Sequence, residues 1–314
     1  MARRKNIVTE TKPGLLPRIS FDEAIEIYLK EQKIKNRTHR TIQWHVENFN
    51  TLKKFFIEQN VPLDLYNITS KHLKDNFILY SLEQKGNIPS TINNRLKTYK
   101  SFWCYMVNSG YLKHDIAKNI VKMTEKKKII PTLDENDINK MFKVCNKKTY
   151  TGQRDLTIMK TLLDTGLRLR ETVLLKICDI YWKDNLLKAD GKGQKERLIP
   201  LSNELKKTLK DYIAERGGID VEELFVTLDN KPLSRRTVQE RIEIISKKAN
   251  LTKQSSPHVW RHTFAKLYVI NGGDPFTLKK ILGYSDWAMV HRYVDMFSSE
   301  LITQHEKASP LKNL

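Results

Sequence analysis

The stretch ICDIYWKDNLLKADGKGQKERLIP, residues 177–200, decides the fold. Its apolar residues group into three short runs, at 177–182, 186–189 and 197–200. The turns between these runs, Lys183–Asn185 and Gly191–Gln194, have the polar or glycine-rich composition of antiparallel hairpin loops. No other part of the chain has a strand-like pattern. The sequence therefore predicts a mainly α fold that contains one small antiparallel β-sheet.

Helical periodicity dominates the rest of the chain. Before the sheet, four amphipathic segments are expected to form a small bundle, and they begin near Ser20, Thr38, Thr69 and Pro89. Ser20 and Glu23 have the spacing of a capping box, which opens the first helix. After residue 200 the pattern is helical again, so the sheet is expected to belong to a second, mostly α domain.

A charged run that ends in a proline, residues 126–131, is typical of a linker between two domains. The first 19 residues contain five Lys or Arg, two prolines and a glycine, and are interpreted as a flexible basic arm. The predicted organisation is an arm at 1–19, a helical domain at 20–125, the linker at 126–131, a second domain at 132–297 and a tail at 298–314.

The charge of the chain indicates the chemistry of its partner. The 314 residues include 56 Lys and Arg against 36 Asp and Glu, a formal net charge of +20. Residues 1–130 contribute +12 and residues 131–314 contribute +8, so both halves are basic. A basic excess over a whole folded chain favours polyanions, because each neutralised phosphate releases counterions. Nucleic acid is therefore the leading partner, and a lysine-rich surface without such a partner is the alternative.

Composition excludes several classes of protein. Hydrophobic residues make up 39% of the chain, which is enough to build cores and excludes wholesale disorder. No run approaches the roughly 18 uncharged apolar residues of a membrane span, and the N-terminus lacks the apolar segment of a secretory signal. The three cysteines, Cys104, Cys145 and Cys178, are far apart. They argue against a disulfide framework or a Cys-based zinc site and are consistent with a reducing cytoplasm.

A first cationic motif, His258 with Arg261, follows Ser256-Pro257. A serine followed by proline is typical of a helix start, and residues three apart share one helix face. His258 and Arg261 could therefore point at one object near the positive end of the helix dipole, where a phosphate binds favourably. Alone, the pair would indicate only an exposed basic helix.

A second cationic motif contains Arg168, which follows the helix-ending Gly166. Glu171 lies three residues further on and could orient the guanidinium of Arg168. The planar fork of an arginine suits two phosphate oxygens better than a lysine does. One arginine beside a glycine cap is ordinary, so this motif needs the others to indicate function.

Lys192 stands between two glycines at a predicted hairpin tip, where its ammonium could protonate a leaving alkoxide. Lys195 is an alternative for the same role, and a solvated hairpin lysine is the simplest interpretation. Further along, Tyr284 and Tyr293 flank a predicted helix start. A phenol with its ordinary pKa near 10 is a poor nucleophile, but nearby arginines and a base would activate it.

Taken in order, these positions resemble the tyrosine recombinase (phage integrase) family. Five of six active-site positions match: Arg168, Lys192, His258, Arg261 and Tyr293. Tyr284 stands where that family usually has His or Trp, and it is also an alternative nucleophile. The resemblance covers roughly residues 20–312. It implies an N-terminal SAM-like core-binding domain of four helices and a C-terminal catalytic domain, as in Xer-type recombinases and compact integrases of mobile elements.

The resemblance also implies a mechanism that needs no metal or other cofactor. Arg168 and Arg261 would hold the scissile phosphodiester, with Glu171 supporting Arg168 and the phenol of Tyr284 touching the phosphate. Tyr293 would attack phosphorus and form a 3′-phosphotyrosyl bond. Lys192 would protonate the departing 5′-oxygen, and His258 would accept or return the proton of the tyrosine.

The implied partner is double-stranded DNA with paired recombination sites, held between two domains. Candidate DNA contacts lie at the predicted helix starts near residues 38 and 234 and on the helix that begins near Pro89. They are Thr38, Arg40, Thr91, Asn93, Asn94, Arg95, Lys97, Lys100, Ser234, Arg235 and Arg236. Family members exchange a C-terminal tail between protomers, so a dimer per site and a homo-tetramer on two sites are expected. An accessory DNA-binding protein is possible, no membrane is involved, and the expected location is the bacterial cytoplasm, with the nucleoid.

Three alternatives stay open at this point. The same chemistry serves integration of a mobile element and Xer-type resolution of chromosome or plasmid dimers; Tyr284 and the basic arm favour the mobile element. A DNA-binding accessory protein without chemistry would explain Tyr284. A type IB topoisomerase shares the nucleophile and the phosphate clamp, and would relax supercoils without site preference.

Overall fold

A computed structural model of the chain describes residues 16–125, 131–191, 196–253, 255–284, 286–287, 290–291 and 293. These residues form two compact units, one made of residues 16–125 and the other beginning at residue 131. Each unit encloses its own apolar core. None of the described helices is both long and apolar enough to cross a membrane.

The first unit consists of four helical segments, as the periodicity predicts. They are α1 (Phe21–Ile34), α2 (His39–Glu58), a composite third segment, and α5 (Pro89–Asn108). The composite segment comprises α3 (Ser70–His72), a π-helical stretch (Leu73–Leu79) and α4 (Tyr80–Glu83). Its middle is therefore wider than the single α-helix that the pattern predicts. The side chain of Gln59 donates a hydrogen bond to the carbonyl of Asn76 within that stretch, at 2.7 Å.

The expected capping box at the start of α1 is confirmed. The Ser20 hydroxyl accepts from the backbone N–H of Glu23 at 3.2 Å, and the Glu23 carboxylate accepts from the backbone N–H of Ser20 at 2.7 Å. Behind this start, the core of the unit is strongly aromatic. Phe102 packs edge to face against both Tyr28 and Phe49, an arrangement that favours aromatic pairs beyond their buried area.

The second unit contains one sheet and, among the described residues, seven α-helices with defined bounds; residues 290, 291 and 293 are also helical. The helices are α6 (Glu135–Lys143), α7 (Tyr150–Thr165), α8 (Leu169–Val173), α9 (Asn203–Arg216), α10 (Arg235–Lys248), α11 (Pro257–Ile270) and α12 (Pro275–Leu282). The strands are β1 (Ile180–Tyr181), β2 (Leu186–Asp190) and β3 (Glu196–Pro200), antiparallel in the order β1-β2-β3. The predicted mainly α fold with a small antiparallel sheet is confirmed.

The first predicted strand is shorter than expected. Residues 177–179 form a 3-10 turn, because the Asp179 carboxylate accepts from the backbone N–H of Lys176 at 2.9 Å and closes that turn. The other two strands pair as one hairpin, with Leu187 opposite Ile199. Both side chains are fully buried and join the core of the unit.

The end of α7 brings the candidate site together. α7 packs against α9 and α11, and it ends at Gly166, whose φ of +59° is left-handed. A Cβ at Gly166 would lie 2.3 Å from the Cδ1 atom of Phe264 on α11. Only glycine combines this backbone conformation with so close an approach, and the turn carries the chain directly to Arg168.

Candidate active site

Arg168 and Glu171 are in contact at the start of α8. Arg168 is the N-cap residue of that helix. Its backbone N–H donates to Glu171 Oε2 at 2.8 Å, and its Nη1 donates to Glu171 Oε1 at 2.8 Å. The side chain of Glu171 is only 4% exposed, whereas that of Arg168 is 34% exposed. Glu171 therefore holds Arg168 by two links and leaves part of its guanidinium open to solvent.

A second arginine, which the sequence did not indicate, occupies the other side of Glu171. Arg197 on β3 donates from Nη1 to Glu171 Oε1 at 3.0 Å and from Nη2 to Glu171 Oε2 at 2.8 Å. Burial raises the pKa of Glu171, but the hydrogen bonds from Arg197 and Arg168 outweigh it, so the pKa is lowered overall. Arg197 lies two residues before the buried Ile199, and strand alternation could have marked it as an inward-facing charge.

Arg261 is the most enclosed of the candidate cations that the structure describes, at 3% exposure. Its Nη1 donates to the carbonyl of Gly166, its Nη2 donates to the carbonyl of Leu282 at 2.7 Å, and its Nε donates to the phenolic oxygen of Tyr284 at 3.4 Å. Burial lowers the pKa of Arg261. The backbone ends of α7 and α12 thus fix the guanidinium in one orientation.

Three successive carbonyls at the end of α12 each accept a hydrogen bond from a different arginine. Arg197 Nε donates to the carbonyl of residue 281 at 2.6 Å, Arg261 Nη2 to that of residue 282 at 2.7 Å, and Arg168 Nη2 to that of residue 283 at 3.4 Å. Cations are stabilised at the carbonyl end of a helix. The end of α12 therefore brings three guanidiniums together, and two of them pair with the buried carboxylate of Glu171.

The ring of Tyr284 lies beneath two of these cations. The Cζ atom of Arg261 is 4.9 Å from the ring centroid and that of Arg168 is 6.0 Å from it. The phenolic oxygen of Tyr284 is 3.5 Å from that of Tyr293. Tyr284 thus contacts both predicted phosphate-binding arginines and the predicted nucleophile.

Tyr293 is fully buried and hydrogen-bonded to a histidine outside the predicted set. The Nδ1 atom of His262 lies 2.5 Å from the phenolic oxygen of Tyr293. His258 is exposed in the first turn of α11. A one-turn spacing on α11 relates His262 to His258, and this spacing was the available signal for His262. The structure brings together Arg168, Glu171, Arg261, Tyr284 and Tyr293, whereas the side chain of His258 is exposed.

Several predicted features lie outside the described residues. They are Lys192 and its alternative Lys195, most of the basic arm, residues 126–130 of the linker, and the tail from 298 to 314. β2 and β3 are described on both sides of residues 192–195.

Most candidate DNA contacts are accessible in their own unit. Exposed side chains belong to Thr38, Arg40, Asn94, Lys97, Ser234, Arg235 and Arg236, and half-buried ones to Thr91, Arg95 and Lys100. Thr38 and Ser234 cap α2 and α10 through their hydroxyls.

Asn93 differs from the other predicted DNA contacts because its side chain is buried. It is 3% exposed, and its amide both donates to the carbonyl of Met123 at 2.8 Å and accepts from the N–H of Met123 at 2.9 Å. The side-chain nitrogen of Asn93 also donates to a carboxylate oxygen of Glu125 at 2.8 Å. In this structure Asn93 therefore holds the segment that follows α5, and its side chain is buried within its own unit.

Within the described residues, this site combines guanidinium donors, a supporting carboxylate, two phenols and an imidazole. Such a set can bind an oxyanion and stabilise negative charge that develops on it. It can also deprotonate a phenol placed beside that oxyanion.

Known proteins share both sequence and fold with this chain. The model of the phage integrase family matches residues 131–300. Tyrosine recombinase XerD of Staphylococcus saprophyticus is 27% identical over 300 residues, covering 92% of this chain and 99% of that protein. Tyrosine recombinase XerC of Thermodesulfovibrio yellowstonii is 28% identical over 235 residues, covering 72% of this chain and 78% of that protein.

Two solved structures have the same fold. The Tn1549 transposon integrase in complex with transposon right end DNA has a TM-score of 0.75 at 17% identity, covering 93% of this chain and 100% of that chain. The XerH site-specific recombinase bound to a palindromic difH substrate has a TM-score of 0.72 at 20% identity, covering 93% of this chain and 85% of that chain.

Proposed function

We propose, since the chain belongs to the phage integrase family, that it is the integrase of a mobile element and recombines two specific DNA sites. Membership of the family confirms the resemblance inferred from the sequence. The protein is accordingly a site-specific tyrosine recombinase, an enzyme that cleaves and rejoins DNA strands. The observation that carries the assignment of its residues is the convergence of Arg168, Arg261 and Tyr293 around Tyr284.

The two arginines would bind the scissile phosphodiester. The exposed edge of the Arg168 guanidinium and the fixed guanidinium of Arg261 would donate to its non-bridging oxygens. These donors would stabilise the charge that grows in the pentavalent transition state, because they are already oriented before the reaction begins. The phenol of Tyr284 would donate to the same phosphate from beneath.

Tyr293 would be the nucleophile. Its oxygen would form a bond to phosphorus while the bond from phosphorus to the 5′-oxygen breaks, which leaves a 3′-phosphotyrosyl link and a free 5′-hydroxyl. His262 would accept the phenolic proton, with His258 as the alternative, and Lys192 would protonate the departing 5′-oxygen. Because Tyr293 is fully buried, cleavage requires a rearrangement that presents its oxygen to the phosphorus.

DNA would be bound by both domains. The exposed Arg235 and Arg236 at the start of α10, together with Arg40 and Lys97 in the first unit, would contact phosphates or base edges. The two solved structures with the same fold are a recombinase and an integrase bound to DNA, which supports DNA as the partner. We propose a dimer on each site, a tetramer that exchanges the tail at 298–314 on two sites, and a cytoplasmic location with the nucleoid.

Resolution of chromosome or plasmid dimers is the second candidate biological role. Its support is the similarity over nearly the whole chain to a protein named XerD. The transposon integrase among the structural neighbours and the phenol at position 284 support the mobile element instead. The test is a search for direct repeats that flank the gene. Repeats able to serve as attachment sites support the mobile element. Recombination between two copies of a single chromosomal site supports resolution.

A trapping experiment tests the chemistry. A nicked suicide substrate that carries the recombination site loses a short fragment after cleavage, so a covalent protein–DNA adduct accumulates. The wild-type protein should form this adduct, and Tyr293→Phe should bind the same DNA with near-normal affinity and form none. An adduct with the phenylalanine variant would show that another residue is the nucleophile. Relaxation of supercoiled DNA without any site preference would indicate a topoisomerase.

A further inference from the structure

We propose that Arg197 is a positioning residue of the active site: it neutralises Glu171 so that the guanidinium of Arg168 stays available to the scissile phosphate. This inference rests on the proposed function, because it assigns Arg168 to the phosphate. Arg197 itself would not touch DNA. It would act through Glu171 and through the end of α12.

The contacts of Arg197 come from two elements besides its own strand. Its two terminal nitrogens form a bidentate pair with Glu171, at 3.0 and 2.8 Å, and its Nε donates to the carbonyl of Ile281 at 2.6 Å. A Cβ placed on Gly283 would lie 3.1 Å from Arg197 Cδ, so the stem of the side chain is packed closely as well. Its side chain is only 11% exposed. Strand β3, helix α8 and the end of α12 are thereby fixed relative to one another.

The charges around Glu171 explain why a second arginine is needed. Glu171 is buried, and a buried carboxylate without sufficient partners is strongly unfavourable. If Arg168 were its only cation, both terminal nitrogens of Arg168 would be drawn to the two carboxylate oxygens. Because Arg197 donates to both oxygens, Arg168 gives Glu171 only its Nη1 and its backbone N–H. The other terminal nitrogen of Arg168 makes a single long contact of 3.4 Å, to the carbonyl of Gly283.

The arrangement also adds net positive charge where phosphate would bind. The guanidiniums of Arg168, Arg197 and Arg261 meet at the end of α12, and Glu171 pairs with the first two of them. Without Arg197, the guanidiniums of Arg168 and Arg261 and the carboxylate of Glu171 would remain. Glu171 would then pair more fully with Arg168, the arginine proposed to bind the substrate phosphate. Placement errors of about 1 Å in such groups lower rates by about 100-fold.

A double-mutant cycle at positions 171 and 197 tests this role. Single-turnover cleavage of the nicked substrate is measured for wild type, Arg197→Met, Glu171→Gln and the double variant, with DNA affinity measured separately. We expect Arg197→Met to lower the cleavage rate by about 10- to 100-fold, with DNA affinity changed by less than about threefold. In the double variant the loss should be largely recovered, so that it cleaves about as fast as Glu171→Gln alone.

Two further variants keep the test decisive. Arg216→Met removes another buried arginine, one that donates hydrogen bonds to the backbone carbonyls of residues 217, 221 and 223 after α9, and it should leave cleavage by folded protein near the wild-type rate. Arg197→Lys retains the charge without the bidentate geometry and should cleave at an intermediate rate, which decides the question if Arg197→Met does not fold.

The proposal is overturned if the double variant cleaves as slowly as Arg197→Met and more slowly than Glu171→Gln. It is also overturned if Arg197→Met and Arg197→Lys both cleave at the wild-type rate. An equal loss in Arg216→Met would also overturn it, because a general effect of deleting a buried arginine would then suffice. The proposed function fails separately, if wild-type protein forms no covalent adduct in the same assay.

Discussion

The Nδ1 atom of His262 lies 2.5 Å from the phenolic oxygen of Tyr293, inside a site where that phenol has no exposure to solvent. Both residues come from helical segments of the second unit and are 31 positions apart in the chain. A direct contact between an imidazole and a phenol allows the proton to move in either direction, depending on the tautomer. Among the residues that the structure describes, His262 is therefore a base in direct contact with the proposed nucleophile.

Replacing His262 by Asn should therefore slow cleavage. General base catalysis contributes about 10²- to 10⁴-fold in rate, so a decrease of at least about 100-fold is expected. The rate of the variant should also continue to increase with pH where that of the wild type has levelled off, because hydroxide then replaces the base. Single-turnover cleavage measured from pH 6 to pH 9 provides the check. An unchanged rate and pH profile would show that His262 is not the general base and only orients the phenol of Tyr293 before the reaction.

Tyr284 can be distinguished from Tyr293 by removing its hydroxyl. Tyr284→Phe keeps the ring beneath Arg261 and Arg168 but loses the contact with Arg261 Nε. We expect the covalent adduct to form at a rate reduced by about tenfold, the loss of one hydrogen bond to a charged group. Tyr284→His, which restores the residue type typical of the family, should cleave at least as fast as Tyr284→Phe. Complete loss of the adduct in Tyr284→Phe, with normal DNA binding, would make Tyr284 the nucleophile.

Local signals in the sequence predicted the parts of the structure that depend on neighbouring residues. The capping box at Ser20, the left-handed Gly166 at the end of α7 and the serine–proline start of α11 each involve residues within about one turn. The mainly α fold followed from these starts and stops together with the single strand-rich stretch.

Contacts across the chain were not predictable in the same way. Arg197 meets Glu171 across 26 positions and His262 meets Tyr293 across 31. Asn93 belongs to a basic helix and was expected to contact DNA, but it bonds with Met123, 30 positions further on. Polar residues of this kind have the same local pattern whether they face solvent or a buried partner. Only the packing of distant segments decides between the two.

Gly166 should be very sensitive to substitution. An alanine there adopts left-handed geometry, which is unfavourable by roughly 1–2 kcal/mol. Its Cβ would also lie 2.3 Å from Phe264 Cδ1 and 2.7 Å from Leu282 Cδ2, and overpacking of this kind destabilises by about 1–3 kcal/mol. Urea unfolding of the full chain should show Gly166→Ala destabilised by at least about 2 kcal/mol.

Gly272 provides the matched control for this prediction. Its φ of +85° is also left-handed, but a Cβ there meets nothing within 4 Å. Gly272→Ala should therefore show only the backbone effect, about 1–2 kcal/mol. Equal destabilisation of the two variants would mean that the contact with Phe264 relaxes without penalty.

Glu171 should make the stability of the protein depend on acid pH. Its folded-state pKa is lowered from the ordinary value of 4.5, since the hydrogen bonds from Arg197 and Arg168 outweigh the opposing effect of burial. A lowered folded pKa means that the ionised form contributes stability above the unfolded pKa. That contribution is lost as the pH falls from about 4.5 through the lower folded value.

The measurement compares wild type with Glu171→Gln by urea unfolding at several pH values. The wild type should be the more stable protein at pH 7, and the difference should shrink steadily below the ordinary pKa of the carboxyl. Glu215→Gln changes an exposed carboxyl on α9 and should give a small difference at every pH. A difference between wild type and Glu171→Gln that grows towards acid pH would contradict the lowered pKa.

The exposed arginines at the start of α10 should determine part of the salt dependence of DNA binding. Arg235 is exposed and follows the capping Ser234, where a helix N-terminus favours a phosphate. Replacing it by Ala should remove one phosphate contact, so the slope of log affinity against log salt concentration should become shallower by about 1. Lys30→Ala, an exposed charge on α1 outside the candidate contacts, is the charge-matched control and should leave the slope unchanged.

Comparison of specific and unrelated DNA then separates the two ways in which Arg235 could bind. A residue that contacts only phosphate weakens binding to all sequences alike, because every duplex has the same backbone. A residue that reads a base edge in the major groove changes the preference among sites, by about 1–3 kcal/mol for a bidentate contact. Affinities measured at several salt concentrations on both DNAs give the result, and an unchanged slope on both would remove Arg235 from the DNA-binding surface.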